Sequence, residues 1–246
     1  MLKSVSELSP LHERWLSDVC VRAALGSPPR QRSIQVFRNP FMDRWLGRTH
    51  PAVPASLFAP FIIGALTYSA RQGRVWGLVG AFLGGLLGLT LLEYLLHRFF
   101  LHRPIGADRA SRIAAFLHHG YHHIYPSDEG RLVLPPLVTI PFALVVAGVY
   151  ALLLPLGLAA PAFAGTATGY VAYDSIHWWL HHGRAKSQAG RWLKRYHLLH
   201  HHHHDEGRFG VSSPLWDFVF GTYVRTRMPA AAPPRSRSRA MDRALS

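Results

Sequence analysis

Four long apolar stretches limit what this chain of 246 residues can fold into. They cover residues 52–70, 75–96, 132–156 and 157–176. Glu93 and Asp174 are the charged residues within them, and each stands near the end of its stretch. Helices of soluble proteins rarely stay apolar on every face for about 20 residues, the length that crosses a bilayer core. The sequence therefore predicts an all-α integral membrane protein with four transmembrane helices.

The apolar stretches are predicted to form two helical hairpins, and charge sets their orientation. Residues 1–51, 97–131 and 177–246 hold nearly all of the basic residues behind the formal net charge of +14. By the positive-inside rule, these segments and both termini face the cytoplasm, which means the inner or plasma membrane in a bacterium. We expect a cytoplasmic segment over 1–51, a membrane domain over 52–224 and a disordered Arg- and Pro-rich tail over 225–246.

A chain this basic could also bind nucleic acid. The Arg-rich tail, however, lacks the aromatic residues that interleave with basic ones in proteins that bind single strands. Anionic lipid head groups attract the Arg-rich flanks of membrane helices and explain the charge without nucleic acid. The bilayer is therefore the predicted partner, and nucleic acid is not.

Histidine is the second unusual feature of the sequence. The chain has 17 histidines but one cysteine, Cys20, which excludes a disulfide framework and a metal site built from cysteines. Fifteen histidines lie between residues 97 and 204, in cytoplasmic segments or at the cytoplasmic ends of predicted helices. The candidate metal ligands are His97, His102, His119, His122, His123, His177, His181, His197, His200 and His201. Ten imidazoles exceed what one ion can take, so two metal ions are predicted.

The spacing of these histidines supports metal binding. Residues three and four apart share one helix face, and this spacing recurs within 119–123, 177–181 and 197–201. His97 and His102 are five apart, about 140° around an ideal helix, so they would serve two different metals or straddle a helix end. The other cluster members, His118, His182 and His202–His204, are predicted to be neighbours of the ligands.

Two acidic residues stand where partners of metal-bound histidines are expected. Glu93 is four residues before His97, and Asp174 is three residues before His177. Each carboxylate could accept the free ring N–H of that histidine and fix its tautomer. A carboxylate at membrane depth is costly and usually has a partner, which favours such roles for both residues.

Gly80, Gly84 and Gly88 recur at helical spacing along the second apolar stretch. Such a stripe of small residues is typical of close packing between membrane helices. The alternative is a narrow groove for an acyl chain that ends near the histidines.

The motifs around the histidines resemble those of the fatty acid hydroxylase superfamily, and most of all its fatty acid 2-hydroxylase branch. The matching segments are HRFFLH, HHGYHH, YDSIHWWLHHG, LKRYHLLHHH and FGVSSPLWDFVFGT, and the resemblance covers about residues 37–224. It implies a cytoplasmic helical cap on four membrane helices, with a dimetal centre between them. It also implies that one metal binds His102, His119, His122, His181 and His197. The other would bind His97, His123, His177, His200 and His201.

The resemblance implies an oxygenase that hydroxylates a fatty acyl chain at C2. An unactivated C–H bond has no acidity that a general base could use, so proteins borrow a redox metal for this step. Two iron ions, O2 and two electrons are therefore expected, although zinc could fill the same site in purified protein. The family's 2-hydroxylases often carry a cytochrome b5 domain that we do not find here. We therefore expect a separate electron donor, either cytochrome b5-like or ferredoxin-like.

Two other functions fit the same sequence features. One is a related hydroxylase or desaturase that acts on a sterol, a carotenoid or another lipid, since the shape of the cavity decides the substrate. The other is a membrane protein that binds or transports metal without catalysis. A transporter should place ionisable ligands near the middle of the bilayer, whereas His97 and His177 stand at helix ends.

Overall fold

The computed structural model describes residues 39–71, 75–102, 108, 111, 115, 119–202 and 206–225, and this part of the chain is helical without strands. The helices are α1 (Pro40–Leu46), α2 (Val53–Ala70), α3 (Val75–Leu96), α4 (Tyr121–Ile124), α5 (Pro136–Leu153), α6 (Leu156–His182), α7 (Gln188–His202) and α8 (Leu215–Val219). A π-helical turn, His97–Leu101, extends α3, and a 3-10 turn covers Glu129–Arg131. Residues 1–38, His118, His203, His204 and the predicted tail beyond Arg225 lie outside the described residues.

Three segments are long and apolar enough to cross a membrane, and they match the first three predicted stretches. They run over Val53–Ala70, Val75–Leu101 and Glu129–Leu153. Large apolar side chains cover their outer faces, for example Phe61 at 61% exposed and Leu144 at 67%. Exposed apolar surface of this extent marks a site of contact with lipid or protein. The chain therefore has the character of an integral membrane protein.

The fourth predicted stretch forms the central helix of the bundle. Helix α6 continues beyond the predicted end at residue 176 to His182, and it contacts α2, α3 and α5. Its residues include many Ala, Gly and Thr, and although it is long enough to cross a membrane, it is less apolar than the three candidate spans in the described chain. A helix that faces other helices needs small residues for close approach more than it needs large apolar ones.

Helices α3 and α6 approach each other through two glycines. A Cβ added at Gly85 would overlap the backbone of Ala162, and one added at Gly165 would overlap the backbone of Phe82. Only the missing side chains allow these backbones to lie so close together. This contact holds α6, and with it His177 and His181, in register with the end of α3.

The predicted packing stripe on α3 is therefore wrong by one helix position. A Cβ added at Gly80 or Gly84 would meet no described atom within 4 Å, and one at Gly88 would meet the Tyr150 hydroxyl at 3.7 Å. Successive residues are about 100° apart around a helix, so Gly85 points to a different face from Gly84. The sequence showed the small residues but not which of them face α6.

An ion-pair network attaches α1 to the segment that follows the second histidine cluster. The buried Asp43 carboxylate accepts from Arg131 Nη2 at 2.7 Å and from Arg48 Nε at 3.1 Å. Arg131 Nη1 also donates to the Gly47 carbonyl at 2.9 Å. These contacts fix the chain between α4 and α5.

Candidate metal centre

The structure brings all ten predicted ligands together in two groups of five. Group A consists of His97, His102, His119, His123 and His200. Group B consists of His122, His177, His181, His197 and His201. In each group, one ligand nitrogen from every ring lies within 4.8 Å of all the others, and the rings are buried or half-buried.

The Nε2 atoms in each group are spaced like atoms bound to one ion. In group A, Nε2 of His97 is 2.9 Å from that of His119 and 3.1 Å from that of His102. In group B, Nε2 of His197 is 2.8 Å from that of His181 and 3.1 Å from that of His201. Imidazole nitrogens at about 2.0–2.1 Å from an ion, at right angles, would be about 3.0 Å apart. The observed separations fit one metal ion in each group.

The ring tautomers in group A also suit a bound cation. Nδ1 of His97 is 2.5 Å from the Phe209 carbonyl, and Nδ1 of His200 is 2.7 Å from the Gly207 carbonyl. A carbonyl only accepts, so both Nδ1 atoms donate and both Nε2 atoms carry lone pairs. These lone pairs converge on His102 Nε2, which is 3.1 Å from each. A cation between these atoms would accept the lone pairs and remove their mutual repulsion.

A π-helical turn explains why His97 and His102 bind in the same group. The backbone N–H of His102 donates to the His97 carbonyl at 3.3 Å, five residues back. This wider turn brings residues five apart to one face, whereas an ideal α-helix would place them about 140° apart. Of the two predicted arrangements, the ligands straddle a helix end and do not serve different metals.

The structure also corrects the expected division of the ten histidines into two sets. Residues four apart share a group, as in the pairs His119 and His123, His177 and His181, and His197 and His201. His122, three positions after His119, and His200, three positions after His197, belong to the other group. The expected division separated His119 from His123, His177 from His181, and His197 from His201. All three separations are wrong, because a rise of one helical turn keeps side chains four apart on one face.

Glu93 supports the site differently from the prediction. Its carboxylate accepts from the backbone N–H of Val211 at 2.6 Å and of Ser212 at 3.0 Å, and from the Ser212 hydroxyl at 2.6 Å. The expected contact with His97 is wrong, since His97 donates to the Phe209 carbonyl. Glu93 therefore acts on His97 through the loop that carries Phe209.

Asp174 does not make its expected contact either. The carboxylate is buried, but Nδ1 of His177 and Oδ2 of Asp174 have no hydrogen-bond partner among the described residues. The His177 ring points instead at group B, with Nε2 3.0 Å from that of His122. Asp174 therefore does not orient the His177 ring through a hydrogen bond to Nδ1.

Sequence reasoning missed the groups that orient the group A rings. These are the backbone carbonyls of Gly207 and Phe209, and a carbonyl has no side-chain signature. Asp217, which is fully buried, accepts from the backbone N–H of Phe209 at 2.8 Å and of Gly210 at 2.7 Å. Asp217, an acidic residue inside the apolar segment LWDFVF, was the one sign in the sequence that a buried carboxylate supports this region. His182 and His202 stay outside both groups, as predicted.

Burial favours the neutral form of several of these imidazoles. Desolvation lowers the pKa of His119, His122, His123, His197 and His201 well below the ordinary value of 6.5, and repulsion between neighbouring imidazoles lowers it further. Neutral imidazole is the form that binds a metal. The site is therefore ready to bind metal at neutral pH.

We expect acid to remove the metals and to weaken the metal-free fold. The histidines of the unfolded chain take up protons below about pH 6.5, whereas the buried ones do so only at lower pH. The unfolded state then binds more protons, so the free energy of unfolding falls as the pH falls below about 6.5. Dialysis at pH 7.5 and pH 5, followed by metal analysis and thermal melting, measures both effects. Equal metal content and equal melting temperature at the two pH values would contradict this expectation.

Comparisons with known proteins agree with the geometry. Residues 82–222 match the family model for fatty acid hydroxylase. The chain is 37% identical to a dihydroceramide fatty acyl 2-hydroxylase of Arabidopsis thaliana over 89% of this chain and 88% of that protein. It is 38% identical to the fatty acid 2-hydroxylase of Rattus norvegicus over 59% of this chain, and it spans only 40% of the rat protein.

A solved structure is also similar to this chain. It is a structure of full-length scs7p in which only the hydroxylase domain is visible. The TM-score is 0.74 at 34% sequence identity, over 79% of this chain and 74% of that one. The similarity therefore extends over more than three quarters of this chain.

Proposed function

This chain belongs to the fatty acid hydroxylase family, and we propose that it is a membrane-bound dimetal enzyme that hydroxylates a fatty acyl chain at C2. The observation that carries the proposal is the pair of five-histidine groups, each with the nitrogen spacing of a metal site. The family is one of oxidoreductases that hydroxylate fatty acids. The position C2 comes from the names of the Arabidopsis and rat relatives.

We propose iron as the metal in both groups. Ten neutral imidazoles suit iron, copper and zinc alike, but zinc does not change its redox state. Bound iron would supply the oxidising power that cleaves an unactivated C–H bond with O2. The chain itself holds ten imidazoles as lone-pair donors, keeps water from them by burial and fixes the tautomers of His97 and His200.

The proposed reaction needs two electrons from outside the chain. One oxygen atom of O2 enters the new C–O bond as a hydroxyl group, and the other leaves as water with two electrons and two protons. We propose a separate electron-donor protein, either cytochrome b5-like or ferredoxin-like. The exposed basic residues Arg191 and Arg195 on α7 support this, since they lie on the helix that carries His197 and His201 and would attract an acidic donor.

We propose that the chain crosses the membrane four times, with both termini and the histidine-bearing cap in the cytoplasm. Helix α6 has 27 residues, about 40 Å of helix, which is enough to cross the bilayer core and continue into the cap. The basic segments flank the end of the bundle that carries the histidines, in agreement with the positive-inside rule. The acyl substrate then approaches from the bilayer and the electrons from the cytoplasm.

Lipid analysis tests the proposed function. We expect 2-hydroxylated fatty acyl chains in cells that express the protein, and their loss when the gene is deleted or when His201 is replaced by alanine. Mass spectrometry after acid hydrolysis measures the hydroxylated acids and their hydroxyl position. Hydroxylation at another carbon would contradict the C2 assignment. Identical acyl profiles with and without the gene would contradict the proposed function itself.

A further inference from the structure

We infer that the loop over residues 207–212 is a clamp for one of the two metal ions. The clamp holds the group A ligands, and Asp217 and Glu93 are positioning residues that act through it. Opening the clamp should release the group A ion and leave the group B ion bound. This inference rests on the proposed dimetal function.

The loop contacts three ligands, and all three belong to group A. The carbonyls of Gly207 and Phe209 accept from Nδ1 of His200 and His97, as described above. The Phe209 ring lies against the same side of the group, with its centroid 5.8 Å from those of His97 and His200 and 5.4 Å from that of His102. The loop therefore sets both the tautomer and the tilt of these rings.

Two carboxylates, the fully buried Asp217 and the half-buried Glu93, hold the loop in this conformation. Asp217 accepts from the N–H groups of Phe209 and Gly210, and Glu93 accepts from Val211 and Ser212. Each acid thus holds two consecutive amides, one pair directly after the other. Loss of either carboxylate leaves buried N–H groups without an acceptor and frees the Phe209 carbonyl to move.

The backbone between the two orienting carbonyls is itself constrained. Arg208 has a φ of 61°, a left-handed conformation that a side-chain-bearing residue adopts when its surroundings impose it. Its guanidinium donates to the Val224 carbonyl at 2.6 Å, and its N–H donates to the Thr222 carbonyl at 3.1 Å. This turn directs the carbonyls of residues 207 and 209 at two different histidines.

Group B is held by other parts of the chain. Its ligands stand on α4, α6 and α7 at positions where the helix fixes the side-chain direction. Hydrogen bonds that orient a ligand ring typically change metal affinity about 10–100-fold. Loosening the loop should therefore lower the affinity of group A by about this factor while group B keeps its ion.

Metal analysis of the purified full-length chain tests the clamp. After reconstitution with iron and dialysis against a mild chelator, we expect two ions per chain in the wild type and one in Asp217→Asn. Gly210→Ala should have the same effect without changing a charge, because its Cβ would lie 2.9 Å from Asp217 Oδ2 and overlap the Ser213 carbonyl. Glu93→Gln should give an intermediate loss, because a single oxygen of Glu93, Oε1, accepts from both amides and the amide oxygen of glutamine can replace it, whereas Asp217 uses a different oxygen for each amide.

Asp43→Asn is the matched control for general destabilisation. Asp43 is also a buried acid, 4% exposed, but its partners are Arg131 and Arg48 rather than the loop. We expect it to lower the melting temperature and to keep both ions. Loss of one ion in this control, or two ions retained in Asp217→Asn and Gly210→Ala, would overturn the clamp.

Double variants identify which ion is lost. Asp217→Asn combined with His97→Ala, a group A change, should still hold one ion because both changes empty the same group. Asp217→Asn combined with His201→Ala, a group B change, should hold none. The reverse result would overturn the assignment of the clamp to group A. A wild-type protein that binds no iron would instead contradict the proposed dimetal function.

Discussion

Replacing His201 by alanine is expected to abolish hydroxylation and to remove one of the two metal ions. The ring is buried, and its Nε2 lies 3.1 Å from that of His197 at the centre of group B. Removal of a hydrogen-bond partner of a ligand lowers metal affinity about 10–100-fold. Removal of the ligand itself should lower the metal affinity of group B by more than this. His122→Ala should behave alike, because His122 belongs to the same group.

His50→Ala is the control for this prediction. His50 is exposed and lies outside both ligand groups. We expect it to keep full activity and both ions, measured by product analysis and metal content on the same preparations. A His201→Ala protein that keeps two ions and wild-type turnover would contradict the assignment of His201 as a ligand.

Gly165→Val should prevent the bundle from forming correctly. A side chain at this position would overlap the Phe82 backbone, and neither helix can move away without separating α3 from α6. Inserting atoms into a packed core usually destabilises by about 1–3 kcal/mol, and overlap with backbone falls at or beyond the upper end. Since α6 carries His177 and His181, metal binding should be lost with the packing.

Gly84→Val is the matched control on the opposing helix. A Cβ at Gly84 meets no described atom within 4 Å, so the larger side chain should be accommodated. Thermal melting and size-exclusion chromatography in detergent compare the two variants. Equal melting temperatures for Gly165→Val and Gly84→Val would show that the contact between α3 and α6 does not hold the bundle together.

The ten histidines of the candidate site could be predicted from the sequence because a metal site needs several histidines at regular helical spacing. The spacing of four residues between His119 and His123, and between His197 and His201, predicts that each pair shares a helix face. Which histidine belongs to group A and which to group B could not be predicted in this way. It depends on the π-helical turn at His97–Leu101 and on how short α4 lies against α6 and α7, which local spacing does not encode.

The supports of the site were harder to predict than its ligands. The sequence placed Glu93 near His97 but could not show that a loop more than 100 residues further on comes between them. Every residue has a backbone carbonyl, so the sequence could not show that those of Gly207 and Phe209 orient histidines. Helix α6 was predicted as a fourth membrane helix rich in small residues, and its place inside the bundle explains those residues.

Anomalous scattering from crystals of the iron-reconstituted protein tests the central claim most directly. We expect two iron peaks in each chain, one surrounded by the Nε2 atoms of group A and the other by those of group B. A single peak shared by both groups would contradict the two-metal site. Peaks elsewhere, with the ten imidazoles turned away from one another, would contradict the metal centre and the hydroxylase chemistry proposed for it.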